Sequence, residues 1–167
     1  METRKTLEIS LPLDRDSWHG RSSESIWTTL LQGLGDRTNV KAIVEVENIP
    51  FFSKSISLGD KLCLDFNTGV PVVDAVVERG GHSTYRIFVE TPTIEASHML
   101  ERLKAMGCHR VNARFNGGEL YAIDIPPEVD LDDAYEILDK GQREQTWTFE
   151  EGYVGHPPNG APPSTLS

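Results

Sequence analysis

Glu-Val-Glu-Asn-Ile-Pro-Phe-Phe-Ser-Lys-Ser-Ile-Ser-Leu-Gly-Asp (residues 45–60) is the stretch on which the fold turns. It closes a strand. Val40, Ala42, Val44 and Val46 alternate with Lys41, Ile43, Glu45 and Glu47, the period of a half-buried β-strand. Asn48-Ile49-Pro50 stops that strand, because proline offers no N–H to a ladder and holds the residue before it extended. Phe51 and Phe52 then supply apolar bulk, and Leu58-Gly59-Asp60 turns the chain into a second strand over 61–66 with Leu62, Leu64 and Phe66 on one face.

Working outward, 6–11 reads as a short strand stopped by Pro12, and 13–25 as a polar loop with Gly20 and several serines. Residues 25–31 read as a strand and 32–39, with Gly33 and Gly35, as a turn. Asn67-Thr68-Gly69 is another turn, and the β-branched run 70–77 has the composition of a central strand. Gly80-Gly81 breaks it before a strand over 83–89. The first half is therefore an antiparallel meander, strongly curled.

The second half changes period. Thr91-Pro92 has the form of an N-cap followed by a first-turn proline, and Ala96, Met99, Leu100, Leu103 and Met106 make the stripe of an amphipathic helix ended by Gly107. A strand over 110–115, the turn Asn116-Gly117-Gly118 and a strand over 120–125 make a hairpin. Asp130 caps a second helix whose inner face carries Leu131, Ala134, Tyr135 and Leu138 and which Gly141 ends, and 147–153 has the composition of a last strand. The order from Ser83 onward is the split βαβ order of ferredoxin-like domains. The fold class expected is α+β: an antiparallel β meander or small barrel followed by a ferredoxin-like βαββα(β) half. The domain division expected is an N-terminal strand and flexible loop over 1–24, one globular domain over 25–153 and a disordered tail over 154–167, rich in proline and glycine.

Composition narrows the function classes. The 167-residue chain has a net charge of −10, which argues against non-specific binding of nucleic acid or anionic membrane, where phosphates demand Lys and Arg. Cys63 and Cys108 form no CxxC pair, so zinc and thioredoxin-type readings fail and two buried small hydrophobes are expected. No apolar leader and no bilayer-length apolar run occurs, and a cytoplasmic protein is expected.

Taken together, Asn-Ile-Pro-Phe-Phe (48–52), Leu-Gly-Asp (58–60), Gly-His-Ser-Thr (81–84) with Arg86, Met-Gly-Cys (106–108) and Tyr-Ala-Ile-Asp-Ile-Pro (121–126) stand in an order that resembles the bacterial family built on domain of unknown function 4265. The resemblance covers roughly 25–153. It implies a bacterial, soluble, single-domain protein and assigns no catalytic residue.

The densest polar cluster is Arg-Gly-Gly-His-Ser-Thr-Tyr-Arg (79–86). It reads as a bulged hairpin whose groups satisfy the local backbone, as a ligand contact, or as a nucleophile at Ser83. The last needs a base in reach, and His82 next to Ser83 points to the opposite face of a strand. If this cluster folds onto the Pro50 turn, Asn48, Phe52, Asp60, His82, Ser83, Thr84 and Arg86 line a shared ligand-binding crease. His98 and Glu101 lack the third ligand a metal needs, and Cys108 and His109, as chain neighbours, splay apart, so no metal and no cofactor is expected. An acylphosphatase-like anion loop is missing at 90–93. Phe115 and Tyr121 stand isolated in an acidic chain, against RNA recognition. On the second helix Asp132, Glu136 and Asp139 share an outward face, suited either to solvent or to docking a basic protein. The favoured functional reading is a non-enzymatic, acidic binding or interaction domain, with an immunity-like role as one version. The alternative is a small-ligand-binding regulatory domain, or a hydrolase using Gly-His-Ser-Thr.

Overall fold

The computed structural model describes residues 4–35 and 40–157. The fold is α+β, built from two antiparallel sheets and two helices. The first sheet is the meander β1 (Thr6–Pro12), β2 (Ser23–Gly35), β3 (Val40–Val46), β4 (Lys61–Asp65) and β5 (Val72–Glu78), in the order β1-β2-β3-β4-β5. It is a body separate from the second sheet, and its outer strands β1 and β5 approach each other as it curls. Its interior holds Ile9, Leu11, Ile26, Val44, Val46, Ile56, Leu62 and Leu64. The alternation read in β3 sets this core: Ala42, Val44 and Val46 are buried.

The second sheet has the order β7-β8-β6-β9, from β6 (Ser83–Val89), β7 (His109–Phe115), β8 (Gly118–Ile125) and β9 (Thr148–Val154). Helices α1 (Ile94–Met106) and α2 (Leu131–Arg143) cover one face, packing on Tyr85, Ile87, Val89, Ile123 and Ile125. The alternate residues Thr84, Arg86 and Phe88 of β6, opposite Asp124, Ala122 and Leu120 of β8, lie on the other face. The β7–β8 hairpin turns at Asn116 (φ 45°) and Gly117 (φ 81°), the left-handed pair that an Asn-Gly turn supplies.

Several expectations need correction. The run 32–35 continues β2 rather than turning; residues 36–39 lie outside the described ones. β5 is an edge strand, not a central one. Only one side of a β-branched run meets the core, so Val73 and Val76 pack inward while Val72 and Val77 face solvent. The cap of α1 is Thr93, whose Oγ1 accepts from the Ala96 amide at 3.1 Å, two residues after the expected Thr91. Gly107 (φ 108°) does end α1, but Gly141 does not end α2. Gly141 is a packing position: a Cβ there would fall 2.2 Å from the Trp147 ring, whose Nε1 donates to Leu138 O at 2.9 Å. The segment assigned to a disordered tail starts too early. Val154 closes β9, and Gly155 and His156 are held against β6; residues 158–167 lie outside the described ones.

Candidate functional site

The segment 47–60 lies between the two sheets and is fixed from both. A buried peptide run must find partners for every amide and carbonyl. Here the amides face one sheet and the carbonyls the other. The Glu24 carboxylate on β2 accepts from the amides of Phe51 (2.9 Å), Phe52 (3.1 Å) and Ser53 (2.7 Å). The Arg86 guanidinium on β6 donates to the carbonyls of Phe51 and Ser53, and its third side reaches Glu150 Oε1 at 3.3 Å. Arg86 is only 1% exposed. Burial pulls its pKa below the ordinary guanidinium value, and Glu150 and Glu24 resist that pull.

The lower half of the segment is fixed the same way. Asp60 is buried and its carboxylate accepts from Ser57 N (2.9 Å), Gly80 N (3.0 Å) and Arg79 Nη1 (3.0 Å). Ser57 Oγ and Thr84 Oγ1 bond at 2.7 Å. Gly59 and Gly80 touch backbone to backbone: a Cβ on Gly80 would stand 2.8 Å from the Gly59 carbonyl. The His82 ring lies over Gly59, and its Nδ1 bonds Asp124 Oδ1 at 2.8 Å. That bond raises the His82 pKa, against the opposing effect of burial. The second oxygen of buried Asp124, Oδ2, has no hydrogen-bond partner among the described residues. Asn48 Oδ1 accepts from the Trp27 amide.

Ser83 takes the other direction, as neighbouring strand residues must. Its Oγ accepts from the amides of Gly155 (3.0 Å) and His156 (3.1 Å) and bonds His156 Nδ1 at 2.6 Å. His156 Nε2 meets the carbonyls of Pro126 and Val129, both at 3.0 Å. Carbonyls only accept, so Nε2 carries the proton and Nδ1 takes the Ser83 hydroxyl hydrogen. The Ser83 oxygen is thus spent on anchoring the end of β9.

Of the seven residues proposed for one crease, Asp60, His82, Thr84 and Arg86 meet at the seam; Asn48 ties the segment to β2, Phe52 packs into the aromatic cluster beside it, and Ser83 is turned away. On α2, Glu136 and Asp139 are bridged by Arg143 (3.1 and 2.8 Å), while Asp132 sits in the first turn.

Beside the seam is a cavity of about 300 Å³. Phe88 and Leu120 come from the sheet face opposite the helices, Phe115 from the end of β7 and Phe149 from β9. Trp18 comes from the β1–β2 loop, which reaches across to the second sheet. Its Nε1 donates to Glu150 Oε2 at 2.8 Å, and its ring meets Phe115 edge-on at 5.5 Å. Phe52, His19 and Arg21 pack behind: the Phe52 ring lies 5.8 Å from Phe115, and Arg21 stands over both rings. The ionisable lining is Arg86 and Glu150, with Asn116 and Thr148 adding polar edges.

Of the residues singled out in the sequence, Arg86 lines this cavity and Phe52 packs behind it; Trp18, Glu150, Leu120 and Phe88 were missed, and Phe115 was taken for isolated. Also missed were Glu24, Asp124 and His156, which hold the seam. The available signal was Trp18-His19 in an otherwise polar, serine-rich loop. Aromatics there have no local core to join and must find one across the chain.

A hypothetical protein from Neisseria gonorrhoeae has a crystal structure similar to this fold: TM-score 0.65 at 16% identity, covering 94% of this chain and 99% of that one. Among curated proteins none matches the chain. Among the described residues no helix is long and apolar enough to cross a membrane. Residues 33–149 match the model of DUF4265, a domain of unknown function, and the chain belongs to that family.

Proposed function

We propose that the protein is a non-enzymatic binding domain and that its ligand site is the cavity roofed by Trp18. The carrying observation is the contrast in lining: apolar walls around one ion pair, in a volume at the lower end of small-molecule sites, roughly 300–1,000 Å³. The hydroxyls and the imidazole that could do chemistry already have internal partners: Thr84 with Ser57, Ser83 with His156, His82 with Asp124. On this reading Arg86 lines the cavity and holds Glu150, Phe52 backs its aromatic wall, Asn48, Asp60, His82 and Thr84 hold the segment that frames it, and Ser83 anchors the end of β9.

The ferredoxin-like reading of the second half draws support from its strand order and from both helices packing on one face. The buried free thiols of Cys63 and Cys108 suit a reducing, cytoplasmic setting. Docking of a basic protein on the acidic face of α2, with an immunity-like role as its concrete version, is the second reading. It is favoured by the net charge of −10 and by the carboxylates Asp132, Glu136 and Asp139 spaced along α2, two of which Arg143 bridges.

Ligand-observed NMR with a set of small aromatic fragments tests the first reading. Binding is expected to the natural sequence and to be lost in Thr148→Trp, which fills the cavity from an exposed position. Fragments that bind both proteins equally place the site elsewhere.

A further inference from the structure

We infer that the cavity takes an organic cation: a protonated amine carried on a small aromatic or alkyl body. This deepens the reading of the cavity as a ligand site and rests on it. Of the two ionisable groups in the lining, only Glu150 can be reached. Its side chain is 26% exposed, whereas that of Arg86 is 1% exposed and its donors are turned to Phe51 O, Ser53 O and Glu150. An anion could not reach the buried guanidinium.

Glu150 has acceptor capacity left. A carboxylate offers about four lone-pair positions. Oε1 meets Arg86 at a long 3.3 Å, and Oε2 accepts the Trp18 indole at 2.8 Å. The ammonium of Lys54, itself 60% exposed, already stands 3.8 Å from Oε2, too far for a hydrogen bond. A primary ammonium from outside the lining thus already stands near this oxygen, and a ligand amine in the cavity would compete with it for the carboxylate.

The walls suit the same charge. Aromatic faces attract cations through their quadrupole, and this cluster already holds one: the Arg21 guanidinium stands 5.2 Å from the Phe52 ring centre and 5.6 Å from that of Phe115. Trp18, Phe88 and Phe115 make an aromatic lining whose reachable charge is negative, while the Phe149 ring turns to Tyr85 and Tyr135 on the helix side. The net charge of −10 adds a long-range field that gathers cations.

Calorimetric titration of the full chain with benzylamine, benzyl alcohol and benzoate tests the inference. Benzylamine is expected to bind about tenfold more tightly than benzyl alcohol, the worth of one charge-assisted hydrogen bond, and benzoate more weakly than both. Glu150→Gln should bring benzylamine down to the level of benzyl alcohol. Lys54→Ala, a surface change that leaves the fold intact, should strengthen benzylamine alone by removing its competitor. Preference for benzoate, or no gain in Lys54→Ala, overturns the assignment of charge while the cavity stands as a site for another class. Failure of all three probes to bind overturns the cavity reading itself.

Discussion

The seam between the sheets and the cavity beside it share Arg86, yet they are built on opposite rules. In the seam nearly every polar group is matched: amides of 51–53 to Glu24, carbonyls to Arg86, Asp60 to three donors. In the cavity most of the lining is apolar, and one carboxylate keeps unused acceptor capacity. A dense polar motif in a sequence therefore marks where a chain is stitched to itself as readily as where it meets a ligand. Unused capacity, rather than polar density, separates the two.

That contrast breaks most visibly at Arg86. Arg86→Met removes a buried cation and strands two carbonyls and Glu150, so urea denaturation should show a loss of about 3–5 kcal/mol. A loss below about 1 kcal/mol would mean that segment 47–60 is held by something else. Gly141→Ala comes next. A methyl group at 2.2 Å from the Trp147 ring forces α2 and β9 apart, at about 1–3 kcal/mol, with a blue or red shift of Trp147 emission as the local check. Ser83→Ala follows, at about 1–2 kcal/mol. It leaves the amides of Gly155 and His156 without their acceptor, and faster amide exchange there, with β6 unchanged, is the expected signature.

The smallest effect concerns pH. Asp124 raises the His82 pKa in the folded chain, while the unfolded imidazole titrates near its ordinary value of about 6.5. A folded pKa above the unfolded one gives stability that is complete below about pH 6.5 and is lost as pH rises through the folded value. The urea midpoint of the natural sequence should therefore fall more than that of His82→Gln between about pH 6 and pH 8. Parallel curves would mean that the His82–Asp124 bond does not depend on charge.

Much of the fold was legible locally because local rules decide it. The alternation of Val40 to Val46, the Asn116-Gly117 turn, the Gly107 stop and the Asp130 cap each need only neighbours in sequence. The meeting of 47–60 with 79–86 was also within reach, since the two strands between them fold back at the Asn67-Thr68-Gly69 turn and bring Lys61 opposite Glu78. What stayed hidden depends on distant partners. Gly141 has the composition of a helix stop until Trp147 is placed on it. His156 sits in a Pro- and Gly-rich stretch and is held by Ser83, 73 positions away, and by the carbonyls of Pro126 and Val129. Trp18 and Glu150, separated by 132 positions, have no joint signature at all, and with them the cavity could not be read.

The most direct test of the central claim is an amide and indole chemical-shift map of the isotopically labelled chain titrated with benzylamine. The account predicts shifts at the Trp18 indole and at the amides of Phe88, Phe115, Leu120 and Glu150, with Gly80, Gly81, His82, Ser83 and Thr84 silent. Shifts concentrated at 80–84, with Trp18 unmoved, would contradict it and return the site to the seam.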